Sequence, residues 1–336
     1  MTNPFASQFE DFSEATALPP TGLTHDGKPV VELSYSSLNE LGTCARKYQL
    51  RKQFHQPQWD NDIGIAAIGG TCGHTFIQQL LAGYSIEEAS FDFFKLWDFI
   101  IEDNESDWNK LYRNFEAHYF TCLKFWKDLA LTPDDVAKFV IDGEEVPAIE
   151  VKFNLIINNP GNKNVYYYRG ALDLVTKNKF TGGYRVRDFK FHRDTKSLEN
   201  GAEHKYKFDQ QLTPYGLIIQ HLTKKPVERF DVSYHTAFVD VIDPVIMDYT
   251  FTRTMKEVKE WFDNLSLNIA MIESYHGNDV WPRTMRGCEF YMRRCKYYSV
   301  CHIEEKEELQ EAILGRRPIR ENKPFGEWIT INLEAG

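Results

Sequence analysis

The stretch Tyr184-Arg185-Val186-Arg187-Asp188-Phe189-Lys190-Phe191 reads as a β-strand that carries chemistry. Asp188 and Lys190 are two apart, so the period of two sets a carboxylate and an ammonium on one face. Two further runs precede it, Ile149 to Ile157 and Val165 to Val175, joined by the turn Asn158-Asn159-Pro160-Gly161; the turn Thr181-Gly182-Gly183 leads into the third strand. Asp173 stands near the end of the second strand in Gly170-Ala171-Leu172-Asp173, and a hairpin brings it beside Asp188. Two carboxylates of like charge at close range call for a divalent cation, and hard oxygen ligands favour Mg or Mn. Alone, a D-x-K triplet is most simply a surface ion pair on an edge strand.

Outward from these strands the pattern is α/β. Downstream lie a helix at about 205–222, strands at 228–239 and 245–252, and a helix at about 253–274; upstream, helical patterns run through roughly 71–82, 86–102 and 108–129. Ser36 or Ser37 can cap a helix carrying Leu38, Leu41, Ala45, Tyr48 and Leu50. Residues 1–32, with Pro19, Pro20, Gly22 and Gly27, read as a poorly ordered lead-in. Residues 33–302 read as one domain: a mainly helical part (33–140), an α/β core (145–275) and a closing cysteine segment (281–302), followed by a tail over 303–336 whose Glu304 to Glu308 run suits a solvated helix face.

The chain of 336 residues can bury a substantial core, and its first residues lack a signal-peptide pattern. No run approaches the roughly 18 apolar residues of a membrane span, so a cytoplasmic location is expected. The net charge of -10 argues mildly against nucleic acid as a partner. Basic residues nonetheless cluster at Arg46, Lys47, Arg51 and Lys52, from Arg185 to Lys196, and from Arg283 to Lys296. Gly22 and Gly27-Lys28 mimic a phosphate loop, but Pro29 stands where Ser or Thr is required, and neither G-x-S-x-G nor H-E-x-x-H occurs.

Of six cysteines, Cys72 and Cys122 lie in apolar helical stretches and read as core residues. Cys288, Cys295 and Cys301 form a spaced group, with Cys44 far upstream in Thr43-Cys44-Ala45-Arg46-Lys47-Tyr48. Four thiolates suit a [4Fe-4S] cluster or tetrahedral zinc, and His302 offers an alternative ligand.

Four motifs occur in one order: Gly70-Thr71-Cys72-Gly73-His74, Gly170 to Asp173, Asp188-Phe189-Lys190, and Gln211-Leu212-Thr213-Pro214-Tyr215. In this order they resemble the RecB-type branch of the PD-(D/E)XK nuclease superfamily, including CRISPR-associated and phage exonucleases that bear an iron-sulfur cluster; the match runs from about Ser34 to Cys301. The resemblance implies a restriction-endonuclease-like core, with a central mixed sheet flanked by helices. It implies that His74, Asp173, Asp188 and the Phe189 carbonyl bind the metal, and that Lys190 orients or activates the attacking water. Gln211 and Tyr215, four apart on the expected helix and so on one face, would brace Lys190 and the scissile phosphate. The resemblance also favours iron-sulfur over zinc at Cys44, Cys288, Cys295 and Cys301, although Ala45 stands where relatives often carry Pro. Glu150, on the strand before the hairpin, offers a further ligand or a group supporting the ligands, but reads more simply as an exposed strand carboxylate and stays outside this set. Tyr166, Tyr167, Tyr168, Tyr206 and Phe208 are candidates for stacking on unpaired bases. The expected activity is a Mg- or Mn-dependent DNA exonuclease acting at single-stranded or frayed ends, in phage or bacterial recombination, replication or DNA processing. The rival readings are a non-catalytic iron-sulfur protein that binds DNA ends, and an RNA nuclease.

Overall fold

The computed structural model of the chain describes residues 24–54, 65–102, 108–132, 134–141, 143–192, 202–239, 243–284, 288–290, 293–295, 297–303 and 329–333. In chain order the elements begin β1 (Thr24–His25), β2 (Lys28–Leu33), α1 (Tyr35–Thr43), α2 (Ala45–Phe54), α3 (Ile65–Leu81), α4 (Ile86–Glu102) and α5 (Trp108–Ala130). Short strands β3 (Asp134–Val136), β4 (Lys138–Ile141) and β5 (Glu144–Pro147) precede β6 (Ile149–Ile157), β7 (Val165–Asn178) and β8 (Tyr184–His192). Then come α6 (Ala202–Phe208), α7 (Tyr215–Thr223), β9 (Arg229–Phe238), β10 (Val245–Thr254), α8 (Met255–Gly277), β11 (Glu289–Phe290), β12 (Arg293–Arg294) and β13 (Ile329–Leu333). They fall into two compact units, Met1–Asp60 with Phe153–Gly170 and Asp263–Gly336, and Asn61–Lys152 with Ala171–Phe262.

In the second unit the later half of β7 pairs antiparallel with β3 and β8, β8 pairs parallel with β9, and β9 antiparallel with β10. This is a mixed sheet flanked by helices. The parallel β8–β9 pair needs a crossover, and α6 and α7 lie in it. Helices α3, α4 and α5 bury Phe76, Phe93, Trp97, Cys72, Cys122 and Phe125 against Leu174, Phe189 and Ala237 of the sheet. Burying side chains of that size stabilises by about 1.5–3 kcal/mol each, so this layer fixes α3 on β8. In the first unit β2 pairs parallel with Val165–Tyr168 of β7. Ser34 caps α1 through a capping box with Ser37, two to three residues earlier than the sequence suggests.

Four further expectations are corrected. The single helix expected over about 205–222 is two, because Pro214 has no N–H to donate to a continuing helix and sits instead at the N-cap of α7. The strands begin before Val146. Asp134-Asp135-Val136 looks polar, but as β3 it buries the Asp134 carboxylate against Arg185 and Arg187. Strand β13, within the expected tail, pairs parallel with Phe153–Ile157 of β6. Strands β1 and β2 fall within the expected lead-in, whose residues 1–23, like Glu304 to Glu308, lie outside the described residues.

Gly73 allows the close approach of α3 to β8: a Cβ there would meet the Phe191 ring at 2.7 Å, whereas one at Gly70 meets nothing within 4 Å. Gly73→Ala is therefore expected to destabilise by about 1–3 kcal/mol through overpacking, while Gly70→Ala gains about 1 kcal/mol of helix propensity. Urea unfolding of both variants checks the opposite signs.

Candidate active site

Helix α3 delivers His74 to the sheet, with its ring 6.1 Å from that of Phe189 and 5.8 Å from that of Phe191. Pairing between β7 and β8 ends at Leu174 opposite Arg187. Beyond that point Asp173 Oδ2 accepts the Phe189 N–H at 2.7 Å, so a carboxylate replaces the ladder where the two strands part. His74 Nδ1 lies 3.6 Å from the same oxygen, and the imidazole also hydrogen-bonds the Phe189 backbone. On β8, Lys190 Nζ stands 2.7 Å from Asp188 Oδ2. The Gln211 amide ties this pair together, donating to Asp188 Oδ1 at 2.9 Å and accepting from Lys190 Nζ at 3.1 Å.

The structure thus brings His74, Asp173, Asp188, Phe189, Lys190 and Gln211 together. Gln211 and Tyr215 do not share a helix face. Gln211 lies in the turn between α6 and α7, its N–H held by Asp209 Oδ1 at 2.8 Å. Tyr215 opens α7, and its hydroxyl donates to the Ala171 carbonyl at 2.9 Å, two residues before Asp173. It braces the backbone that carries Asp173.

Charge at this cluster is unbalanced. Burial, and then the Asp188 charge, push Asp173 well above the usual carboxylate range; burial raises Asp188 too, against the pull of Lys190. Burial lowers Lys190, but Asp188, Asp173 and Asp209 outweigh it and hold the ammonium above its ordinary value. Burial and the neighbouring Lys190 bring His74 down to about 4, so it is a neutral imidazole at pH 7. Among the described residues no group of three or more His, Cys, Asp or Glu side chains is arranged to hold a metal ion as it stands. The donor chemistry nevertheless fits one: two buried carboxylates that repel each other and a neutral imidazole are what a divalent cation relieves and binds.

Gly70, Thr71, His74, Thr75, Gln78, Glu150 and Asp173 line an open cleft of about 490 Å³. Glu150 belongs to this wall rather than to an exposed strand. Gln78 Nε2 donates to Glu150 Oε2 at 2.5 Å, and Glu150 takes a φ of 50°. The sequence signal for it was available: Gln78 follows His74 by four residues, one helical turn along the same face.

In the first unit Cys44 is buried and Cys288, Cys295 and Cys301 are half-buried, all as free thiols. Cys295 donates its N–H to the Cys288 carbonyl at 2.8 Å across the β11–β12 hairpin. Burial raises the Cys295 and Cys301 thiols; Cys44 adds to both, and the basic Lys47, Arg46 and Arg283 oppose.

Other expected contacts move inward. Tyr166, Tyr168 and Tyr206 are buried, with the Tyr166 hydroxyl on Glu273 and Tyr206 stacked on Tyr234, so they offer no face to a base. Phe208 is 74% exposed. Arg187 is wholly buried between Asp134 and Asp248, so it adds nothing to a basic surface.

Asp173 also predicts a pH dependence. Its folded-state pKa is raised, so the folded form holds its proton longer than the unfolded chain, and stability falls as pH rises from about 4 through the raised value. Asp173→Asn keeps an acceptor for the Phe189 N–H and lacks this loss. Metal-free Asp173→Asn should therefore gain stability over wild type on going from pH 5 to pH 8, as read by urea unfolding.

Among the described residues no helix is long and apolar enough to cross a membrane. The solved structure titled "Crystal structure of SSO0001" is 14% identical, over 83% of this chain and 88% of that one, at a TM-score of 0.33, too low to carry an argument. A search of curated proteins finds no match. A family model described as PD-(D/E)XK nuclease superfamily matches residues 32–302, a span holding His74, Asp173, Asp188, Lys190 and Gln211. The chain belongs to the PD-(D/E)XK nuclease superfamily.

Proposed function

We propose that the chain is a divalent-metal-dependent DNA exonuclease that hydrolyses phosphodiester bonds at single-stranded or frayed ends. Membership of the superfamily gives a nuclease with a nucleic-acid substrate. The observation that carries the catalytic reading is the linked set of Asp188, Lys190 and Gln211 beside the half-buried Asp173.

His74, Asp173, Asp188 and the Phe189 carbonyl would hold the cation, Mg or Mn. When bound, such an ion supplies a Lewis acid that activates water and neutralises phosphate charge. Lys190 is an ammonium at neutral pH, so it donates hydrogen bonds and accepts no proton; it orients the water and steadies charge developing on the phosphoryl oxygens. Gln211 fixes the Lys190 head group against Asp188, and Tyr215 holds the strand that carries Asp173. Phe208, exposed at the end of α6 and three residues from Gln211, supplies a stacking face for an unpaired base. The role in phage or bacterial recombination, replication or DNA processing rests on the motif order alone.

We also propose that Cys44, Cys288, Cys295 and Cys301 hold a [4Fe-4S] cluster, with zinc as the alternative. Support comes from four free thiols, with Cys44 near enough to raise both Cys295 and Cys301, and from the cations beside them. A clamp between residues 44 and 288 closes a long loop, which in the chain-entropy model stabilises by about 4–5 kcal/mol for a covalent link. Iron and acid-labile sulfide in anaerobically purified protein, absent from Cys44→Ser, are the expected result; zinc in their place selects the alternative.

End-labelled single-stranded DNA, duplex DNA and RNA, each incubated with Mn2+ or Mg2+, test the main reading. Wild type should degrade DNA from an end, favouring single strands, while Asp188→Ala and Lys190→Ala lose at least 100-fold in rate and stay folded. Phe208→Ala should raise KM for single strands more than it lowers kcat. DNA bound but uncut under every metal overturns the enzyme reading, and preferential cleavage of RNA overturns the substrate.

A further inference from the structure

Resting on the reading of His74, Asp173 and Asp188 as a cation site, we propose that Glu150 is a positioning residue for that cation. Its carboxylate, fixed on the cleft wall by Gln78, supplies negative charge beside Asp173 that raises cation affinity without ligating the ion.

Three features of Glu150 work against the stability of the chain. A φ of 50° is left-handed backbone, which strains a non-glycine residue. The side chain is partly withdrawn from water, which disfavours its charge. That charge also acts on Asp173, itself already repelled by Asp188. The groups facing it are Asp173, the Gln78 amide and, on its own strand, Lys152. Only Lys152 is positive. A residue kept solely for folding at this position would avoid a third carboxylate, whereas one kept for a cation would be one.

The placement fits. Gln78 follows His74 by one helical turn on α3, so a single helix aims both the imidazole and the amide that fixes Glu150 Oε2 into the same cleft. Glu150 and Asp173 line that cleft together. A unit negative charge near a partly buried cation changes its affinity on the order of tenfold. Direct ligation would have a far larger effect.

The test uses Mn2+ alone as the probe, by calorimetric titration of metal-free full-length protein, with thermal unfolding of the same samples. Compared with wild type, Glu150→Gln and Glu150→Gly should bind Mn2+ about tenfold more weakly, and Glu150→Asp should recover most of that affinity. Metal-free Glu150→Gly should unfold at an equal or higher temperature, since it relieves both the backbone strain and the repulsion. Unchanged Mn2+ affinity in both variants, or a lower unfolding temperature for both, overturns the proposal and leaves Glu150 a structural partner of Gln78. Loss of binding as complete as in Asp188→Asn makes Glu150 a ligand and overturns the positioning role. A wild type that binds no Mn2+ overturns the cation reading on which the proposal rests, a result distinct from the other two.

Discussion

Burial of two carboxylates of like charge, Asp173 and Asp188, is the constraint around which the second unit is arranged. Loss of hydration raises Asp173, and the Asp188 charge adds to this. Folding alone gives no reason to accept that cost. The Phe189 N–H, the Gln211 amide and the Lys190 ammonium each offset part of it. Asp173 still stands well above the usual carboxylate range, so the compensation is incomplete without a cation.

Much of the surrounding structure serves to hold that geometry. The ladder between β7 and β8 ends just before Asp173, freeing a backbone N–H for its carboxylate. Phe125, Phe189 and Phe191 join the aromatic layer of α3, α4 and α5, which sets the height at which His74 enters. A pair of buried networks thus occupies one sheet, one at Asp188 and one in which Arg187 pairs with Asp134 and Asp248. Adjacent residues on a strand point to opposite faces, so Arg187 and Asp188 serve different purposes one position apart.

The strands of the core were legible because alternation and turn residues mark them: β6 has its expected bounds, and β7 and β8 differ by a few residues at their ends. Asp188 and Lys190 follow from the period of two, and Asp173 from the hairpin. Gln211 was found for the wrong geometric reason, since the helix assumed to carry it ends at Phe208 and the next begins only after Pro214, and a turn anchored by Asp209 delivers the amide instead. Glu150 was missed because its strand position predicts exposure, while its left-handed backbone, which no local pattern announces, turns it toward the cleft. Strands β3 and β13 escaped because each depends on a distant partner: Asp134 reads as polar until Arg187 is placed beside it, and Ile329–Leu333 needs β6. The stacking role expected of Tyr206 failed for the same reason, as Tyr234 covers its ring.

Carboxylate-resolved NMR titration of 13C-labelled protein measures the protonation of Asp173 directly, with and without Mg2+. The midpoint should lie well above the ordinary carboxylate value in metal-free protein and fall below that value when Mg2+ is added, as a bound cation stabilises the charged form. An Asp173 that titrates normally without metal, or whose midpoint ignores Mg2+, would contradict a cation site built on this carboxylate.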